Sequence, residues 1–307
     1  MIELENIQLS FDDNKILDGV TMTIPDGRAF GLLGSNGAGK STILRLLSGV
    51  YKMQGGSLKI DGEEVYDNVK IKEQICFIND ETIQFTGYTL KQLKDYYKRF
   101  YRTFSEEKFA KLHSVLNLPM NKKLSTFSKG MKRQAIVICA IACCTKYIFL
   151  DEAFDGLDPT MRIIVKNMMI DAMIDNGTTV ILSSHNLKEI QEFCDTAALL
   201  HNGKIVFCRE LDSVMGSIRK IQTSFDISPA KEDFPEIEVL HIENMGSVTS
   251  IIAKGSEEEI RAAMEKHNPK FVDIIPLTLD EIFILGMLVN IHLELGNRSE
   301  CRANCYF

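Results

Sequence analysis

The chain opens with three runs in which apolar positions alternate with polar ones or fill the run: "IELENIQLSF", "VTMTIPDG" and "RAFGLLG". Such runs, closed by Gly, Pro and Asp, predict β-strands. Shortly beyond them "STILRLLSGV" repeats Ile43, Leu44, Leu46 and Leu47 at helical spacing, giving a strand, a glycine-rich loop and a helix in succession. "GGSLKIDGEEV" returns to strand and turn. From Thr89 to about Leu118 the pattern turns helical and polar, "TLKQLKDYYKRFYRTFSEEKFAKLHSVLNL", until Pro119 ends it. Then an alternating rhythm resumes: strand "YIFLDE", a helix from Pro159 to about Asn176, strand "TTVILSS", a helix from Asn186, and strands "AALLHNG" and "KIVFCRE". Strands alternating with helices predict a largely parallel sheet covered on both faces, here interrupted by a helical insertion over about 87–145.

Past about Glu210 the composition shifts. "ISPAKEDFPEIEV" is acidic and carries two prolines, as a loop or linker does, and "IEVLHIEN" and "SVTSIIAKG" predict strands. "SEEEIRAAMEKHN" begins with the capping box Ser256 to Glu259 and puts Ile260, Ala263 and Met264 on one helical face. The predicted organisation is an α/β domain over 1–210, a small α+β domain over 211–287 and a tail over 288–307. Repeats and low-complexity blocks are absent from the sequence.

Composition narrows the function. At 307 residues, with 45% hydrophobic and 25% charged residues, the chain is globular and long enough for one large and one small unit. The formal net charge of -7 argues against a bulk electrostatic attraction to nucleic acid while leaving room for a local basic patch. "MIELENIQLSFDD" lacks the basic-then-apolar layout of a secretory signal, which predicts a cytoplasmic location. The apolar run "IFILGMLV", Ile282 to Val289, falls far short of the roughly 20 residues that span a bilayer. The eight cysteines form neither a CxxC pair nor a disulfide ladder and predict reduced, mostly buried thiols. Cys301 and Cys305 stand in a polar tail without neighbouring histidines, a weak basis for a metal site.

The chemistry concentrates in a few stretches. "GSNGAGKST", Gly34 to Thr42, fits G-x-x-x-x-G-K-[ST] and lies between a predicted strand and helix. Gly34, Gly37 and Gly39 let the backbone curl so that the N–H groups of Ser35, Asn36, Ala38 and their neighbours converge on phosphate. Lys40 adds a charge there, and the Ser41 hydroxyl can ligate Mg²⁺. In "YIFLDE" two acids end an apolar strand. At the carboxyl end of a parallel sheet, Asp151 would support Mg²⁺ and Glu152 would orient and deprotonate an attacking water. Taken alone the doublet reads as a strand cap. "TTVILSSH" ends the next strand at His185, which is either a polar terminus or a donor to the γ-phosphate region. "FSKGMKRQ", Phe127 to Gln134, opens a long apolar helix with Ser128 and Gly130, a hydroxyl and a bare backbone suited to an anion.

In this order the motifs resemble those of the nucleotide-binding subunit of an ATP-binding cassette (ABC) transporter, over about Met1 to Glu210. The resemblance implies a P-loop NTPase cassette with a β-subdomain, a mainly parallel core sheet and a helical subdomain, followed by a small C-terminal α+β appendage. It makes Gly34 to Thr42 the phosphate loop, "FSKGM" the signature and "YIFLDE" the strand acids. It makes "FDGLDP" the loop ending in Asp158 and "SSH" the switch histidine, His185. It also implies an early aromatic that stacks on adenine, which Phe11 in "LSFDDNKIL" supplies in place of the commoner tyrosine, although Phe11 also reads as ordinary core. Asp80 in "ICFINDE" stands where the family has a glutamine and would approach Mg²⁺, accepting but unable to donate as an amide does. Lys129 and Met131 depart from the common Leu-Ser-Gly-Gly-Gln signature in the manner of bacterial, exporter-like members with Ser-Lys-Gly.

The implied ligands are ATP and Mg²⁺. The implied partners are a second cassette, identical or different, and an integral membrane permease that would hold the chain on the inner face of the cell membrane. Interleaved aromatics and cations in "YYKRFYRTF", Tyr96 to Phe104, read as inward rings and outward charges, or as anchors for the permease, rather than as a nucleic-acid surface. Two alternatives stay open: an ABC-type ATPase acting on nucleic acid or the ribosome, and a regulatory subunit with low turnover, which Asp80 motivates. Relatives of the first kind usually carry paired cassettes or a long coiled coil, and this sequence has one cassette and no heptad run.

Overall fold

The structure is a computed structural model that describes residues 1–79, 85–211, 218–226, 229–277 and 281. It divides into two compact units, one running from Met1 to Cys208 and the other starting at Arg209. In the first, β1 (Ile2–Phe11) pairs antiparallel with β2 (Asn14–Ile24) and with β4 (Gly55–Ile60), and β5 (Glu63–Glu64) adds an edge. Strict alternation would put Ile2, Leu4 and Asn6 on the buried face. Asn6 instead takes φ 50, the register slips between Leu4 and Ile7, and Ile7 and Leu9 enter the core in its place. That bulge explains how an irregular apolar spacing still gives a one-sided strand.

The second sheet has the order β10-β9-β3-β8-β7-β6. Its strands are β3 (Ala29–Leu33), β6 (Ile75–Ile78), β7 (Tyr147–Asp151), β8 (Thr179–Ser184), β9 (Thr196–His201) and β10 (Lys204–Glu210). Pairing is parallel from β9 through β6. Every residue of β3, β7 and β8 is buried, as expected of strands covered on both faces. Asn202 and Gly203, at φ 47 and 74, form the two-residue turn that joins β9 to β10.

Helix α1 (Lys40–Leu47) follows β3, and α2 (Val69–Lys72) precedes β6. Ile43, Leu44, Leu46 and Leu47 of α1 are all buried, each worth roughly 1.5–3 kcal/mol relative to exposure. The insertion contains α3 (Leu90–Phe100), α4 (Glu106–Leu116) and α5 (Lys129–Ala142). The continuous helical pattern read from Thr89 to Leu118 is therefore two helices. Ser105 accepts from the Lys108 N–H and starts a new helix, while the Thr103 hydroxyl bonds the Cys143 carbonyl, so the chain leaves helical geometry at Tyr101. After β7 comes α6 (Pro159–Asn176), and after β8 comes α7 (Leu187–Phe193).

The second unit is an antiparallel sheet ordered β12-β13-β11-β14, with β11 (Ile218–Ser224), β12 (Glu238–Met245), β13 (Val248–Lys254) and β14 (Phe271–Pro276). Helix α8 (Glu257–Glu265) carries the expected capping box between Ser256 and Glu259. Ile260, Ala263 and Met264 pack with Ile221, Phe234, Val239 and Ile251 in one core. Strand β11 escapes the sequence reading because it buries only one apolar side chain, Ile221, among Arg219, Lys220 and Gln222; β14 escapes it too, although Phe271, Val272, Ile274 and Ile275 are apolar. The predicted tail 288–307, with Cys301 and Cys305, and the run Ile282 to Val289 lie outside the described residues. No helix among the described residues is long and apolar enough to cross a membrane.

Candidate functional site

The site is built on the carboxyl ends of β3, β7 and β8. β3 ends at Leu33, and the loop from Gly34 leads into α1, whose N-cap is Gly39 at φ 108. A side chain is excluded there, since a Cβ would lie 2.9 Å from Leu17 Cδ2 and 3.2 Å from the Ile16 carbonyl. Glycine thus lets α1 begin where β2 and β9 converge. Ser35, Asn36 and Gly37 are exposed at the loop's crest and Ala38 is buried behind it, its N–H donating to the Ser35 carbonyl at 3.1 Å. The first turn of α1 has no acidic residue, so the helix's positive end is left available to an anion.

Lys40, 4% exposed, donates from Nζ to the Gly34 carbonyl at 2.8 Å and the Ser35 carbonyl at 3.0 Å. Burial lowers its pKa, opposed by the carboxylates of Glu152 and Asp151. The ammonium is therefore fixed over the loop's crest, with the two acids near enough to be felt.

Asp151 ends β7 beside Ser183 of β8, its partner in the parallel register. Its Oδ1 accepts from Ser183 Oγ at 2.6 Å and from Ser41 Oγ at 2.9 Å. Ser41 and Asp151, two of the three expected Mg²⁺ ligands, are thus brought together; Asp80, the third, lies outside the described residues. A hydroxyl and a carboxylate at this spacing are hard oxygen donors, which fits Mg²⁺.

Glu152 takes φ 48, a left-handed conformation that turns the chain sharply out of β7. Its N–H donates to the Ser183 carbonyl and hydroxyl, both at 3.2 Å, and its carbonyl accepts from Arg133 Nη2 of α5 at 3.5 Å. The turn brings the Glu152 carboxylate to 3.4 Å from His185 Nδ1 at the end of β8, and the Asp155 carboxylate lies in the same group within 4.8 Å. Non-glycine residues held at positive φ are uncommon and mark positions where the surroundings fix the backbone.

One cleft of about 450 Å³ is lined by Phe11, Asn36, Gly37, Gly39, Lys40, Ser41, Thr42, Asp151 and Glu152 together with Ile16, Arg45 and Asn79; His185 is not among its lining residues and meets it through Glu152. Phe11 is exposed at the end of β1 and packs edge-to-face on Tyr51, 5.2 Å between centroids, leaving a ring face open. Asn79, buried just past β6, was passed over in the sequence in favour of its neighbour Asp80; its signal is its place at the carboxyl end of a parallel strand. Ser183 and Arg133 were also missed, because their roles depend on strand register and helix packing that no local motif encodes.

Ser128, Gly130 and Asp158 do not line this cleft. Ser128 is the N-cap of α5, accepting from the Met131 N–H at 3.1 Å, and Asp158 is the N-cap of α6, accepting from the Met161 N–H at 3.0 Å. The two starts touch: a Cβ on Gly130 would lie 3.0 Å from the Gly156 carbonyl. The start of α5 and the loop before α6 therefore lie against each other, and Ser128, Gly130 and Asp158 stay out of the lining of the chain's own cleft.

Known proteins agree with this architecture. Residues 17–155 match the family described as ABC transporter. The chain is 30% identical over 284 residues to the ABC transporter ATP-binding protein YtrB of Bacillus subtilis, covering 92% of this chain and 97% of that one. It is 29% identical over 230 residues to the ABC transporter ATP-binding protein NatA of the same organism, covering 71% and 93%. A solved ATP-binding subunit of an ABC transporter superposes with a TM-score of 0.64 at 25% identity, over 70% of this chain and 91% of that one. A nucleotide-free ATP-binding cassette at 20% identity shares the fold with a TM-score of 0.58, over 68% and 91%. The chain belongs to the family of ABC transporter ATP-binding proteins, and its first unit is a P-loop NTPase cassette.

Proposed function

We propose that this chain binds and hydrolyses ATP as one of two cassettes that close on nucleotide and drive a separate integral membrane permease. The observation that carries the reading is a single cleft lined by Lys40 over the phosphate loop, by Ser41 with Asp151, and by Glu152, whose carboxylate lies 3.4 Å from His185 Nδ1. Phe11 stacks on adenine. The loop's N–H groups and Lys40 hold the β- and γ-phosphates. Ser41 and Asp151 would hold Mg²⁺, which supplies charge neutralisation across the phosphates when bound.

Glu152 orients a water in line with the γ-phosphorus and takes its proton as the new P–O bond forms and the bridging oxygen leaves with ADP. His185 donates to a γ-phosphate oxygen, and its contact with Glu152 keeps the two side chains on the same reacting group. Ser128 and Gly130, with the Asp158 loop, lie away from the chain's own cleft and cover the γ-phosphate held by the second cassette. Closing the pair needs ATP and opening follows loss of the γ-phosphate, an order set by differential contacts in two states.

The permease holds the chain on the inner face of the cell membrane and docks on the helical insertion, where Tyr88 and Phe100 are exposed aromatic anchors. Nucleic acid has no part in the cycle. Phosphate release by the purified chain with Mg²⁺ and ATP tests the reading: Glu152→Gln should lower turnover by about a hundredfold or more while nucleotide binding persists. Equal rates for the two proteins, or none in the wild type, would remove the enzyme assignment and favour a regulatory subunit.

A further inference from the structure

The hydrolytic reading gives His185 a task but does not say what holds it in place. The two residues that flank it are both tied to one buried carboxylate. Ser184 Oγ accepts from the Asn186 N–H at 2.9 Å and donates to Glu189 Oε2 at 2.7 Å. Glu189 Oε1 accepts from Asn186 Nδ2 at 3.5 Å and forms an ion pair with Arg162 Nη1 at 3.1 Å. The Glu189 side chain is only 3% exposed, so its charge is tolerated because Arg162 and the Ser184 hydroxyl meet it.

Arg162 comes from a different element. It lies one turn into α6, and its N–H donates to the carbonyl of Asp158, the N-cap of that helix, at 2.9 Å. Its Nε has no hydrogen-bond partner among the described residues, and it meets Glu189 through Nη1. One ion pair, buried at Glu189 and partly exposed at Arg162, therefore joins the start of the helix behind the Asp158 loop to both residues flanking His185.

We propose that Arg162 and Glu189 are a positioning pair that sets His185 against Glu152 and transmits the placement of the Asp158 loop to it. Neither residue touches substrate. The His185 to Glu152 contact, at 3.4 Å, is near the outer limit of a hydrogen bond, so a displacement of a few tenths of an ångström in the 184–186 segment decides whether it is made. Closure of the second cassette on the Asp158 loop would press on α6 and, through Arg162 and Glu189, settle His185 only when both halves are in place. The inference rests on the hydrolytic reading above.

The test uses the full chain, comparing kcat and KM for ATP in wild type, Arg162→Met, Arg162→Lys and Glu189→Gln, alone and on a His185→Ala background, with rates corrected for folded fraction. Arg162→Met and Glu189→Gln should lower kcat about tenfold with KM changed less than about twofold, and Arg162→Lys should recover most of the loss. On the His185→Ala background the further loss should shrink below about twofold, because the pair acts through that ring. Losses that multiply fully in the double variants, a rise in KM at unchanged kcat, or unchanged kcat per folded molecule would overturn the pairing. Should Arg162→Met fail to fold, Arg162→Gln, which keeps a donor at the head, carries the same comparison. An inactive wild type would fail the hydrolytic reading itself, an outcome distinct from any of these.

Discussion

Replacing Gly39 by Ala probes the point on which the phosphate loop turns. At φ 108 and ψ 6 an L-residue is strained, by roughly 1–2 kcal/mol. The added Cβ would also lie 2.9 Å from Leu17 Cδ2 and 3.2 Å from both the Ile16 carbonyl and Leu200 Cδ2. These neighbours belong to β2 and β9, whose residues Leu17 and Leu200 are fully buried, so the contact behaves as overpacking at about 1–3 kcal/mol. The sum is about 2–5 kcal/mol, or about 5–15 °C in the unfolding midpoint of a domain of this size. Gly37 is the control: it also has positive φ, at 81, but a Cβ there meets nothing within 4 Å. Gly37→Ala should therefore show the backbone strain alone, about 1–2 kcal/mol and about 2–6 °C. Thermal unfolding of the three proteins side by side measures the difference. Equal shifts for the two variants, or a Gly39→Ala midpoint within about 2 °C of wild type, would refute the packing argument.

Two further outcomes follow from the geometry. Burial alone would raise the Asp61 pKa, but bonds from Lys146, the Met1 amine and the Tyr147 hydroxyl outweigh it and hold it at about 2, below its ordinary 3.8. A depressed carboxylate stabilises the fold above its unfolded pKa. That contribution, on the order of 1 kcal/mol after allowing for solvent screening, should be lost as pH falls from about 4 to about 2. Denaturant unfolding of wild type and Asp61→Asn over that range checks the sign: the gap between them should close towards the acid end. For Phe11, stacking needs only a ring face, so Phe11→Tyr should keep ATP affinity and Phe11→Ala should weaken it by roughly tenfold, measured by nucleotide titration. Equal affinities for all three would remove Phe11 from the site.

Much of the cassette could be read from local sequence. Gly34 to Thr42 is one contiguous motif, and β7 delivers Asp151 and Glu152 simply by ending. The fully buried strands β3, β7 and β8 announce themselves as apolar runs. What stayed hidden needed register or packing. Ser183 matters because it pairs with Asp151 across β7 and β8, and Arg133 because α5 carries it, fully buried, to the Glu152 carbonyl. Asn6 shifts the frame of β1 by a bulge that alternation does not anticipate. In the second unit β11 stayed invisible because a central strand with Lys220 and Gln222 on one face and a single buried Ile221 lacks an apolar run. The resemblance already gives the helix start at Ser128 and Gly130 to a partner's ATP and not to the chain's own, and in the structure these residues do not line the chain's own cleft but lie beside Gly156.

That separation underlies the claim that two cassettes share each nucleotide. The most direct measurement is the mass in solution of Glu152→Gln, with and without ATP, carrying either Ser128 or Ser128→Arg. ATP should double the mass of Glu152→Gln, and Ser128→Arg should leave a monomer that still binds ATP with unchanged affinity. An ATP-dependent dimer that survives Ser128→Arg, or loss of ATP binding by that monomer, would contradict that claim.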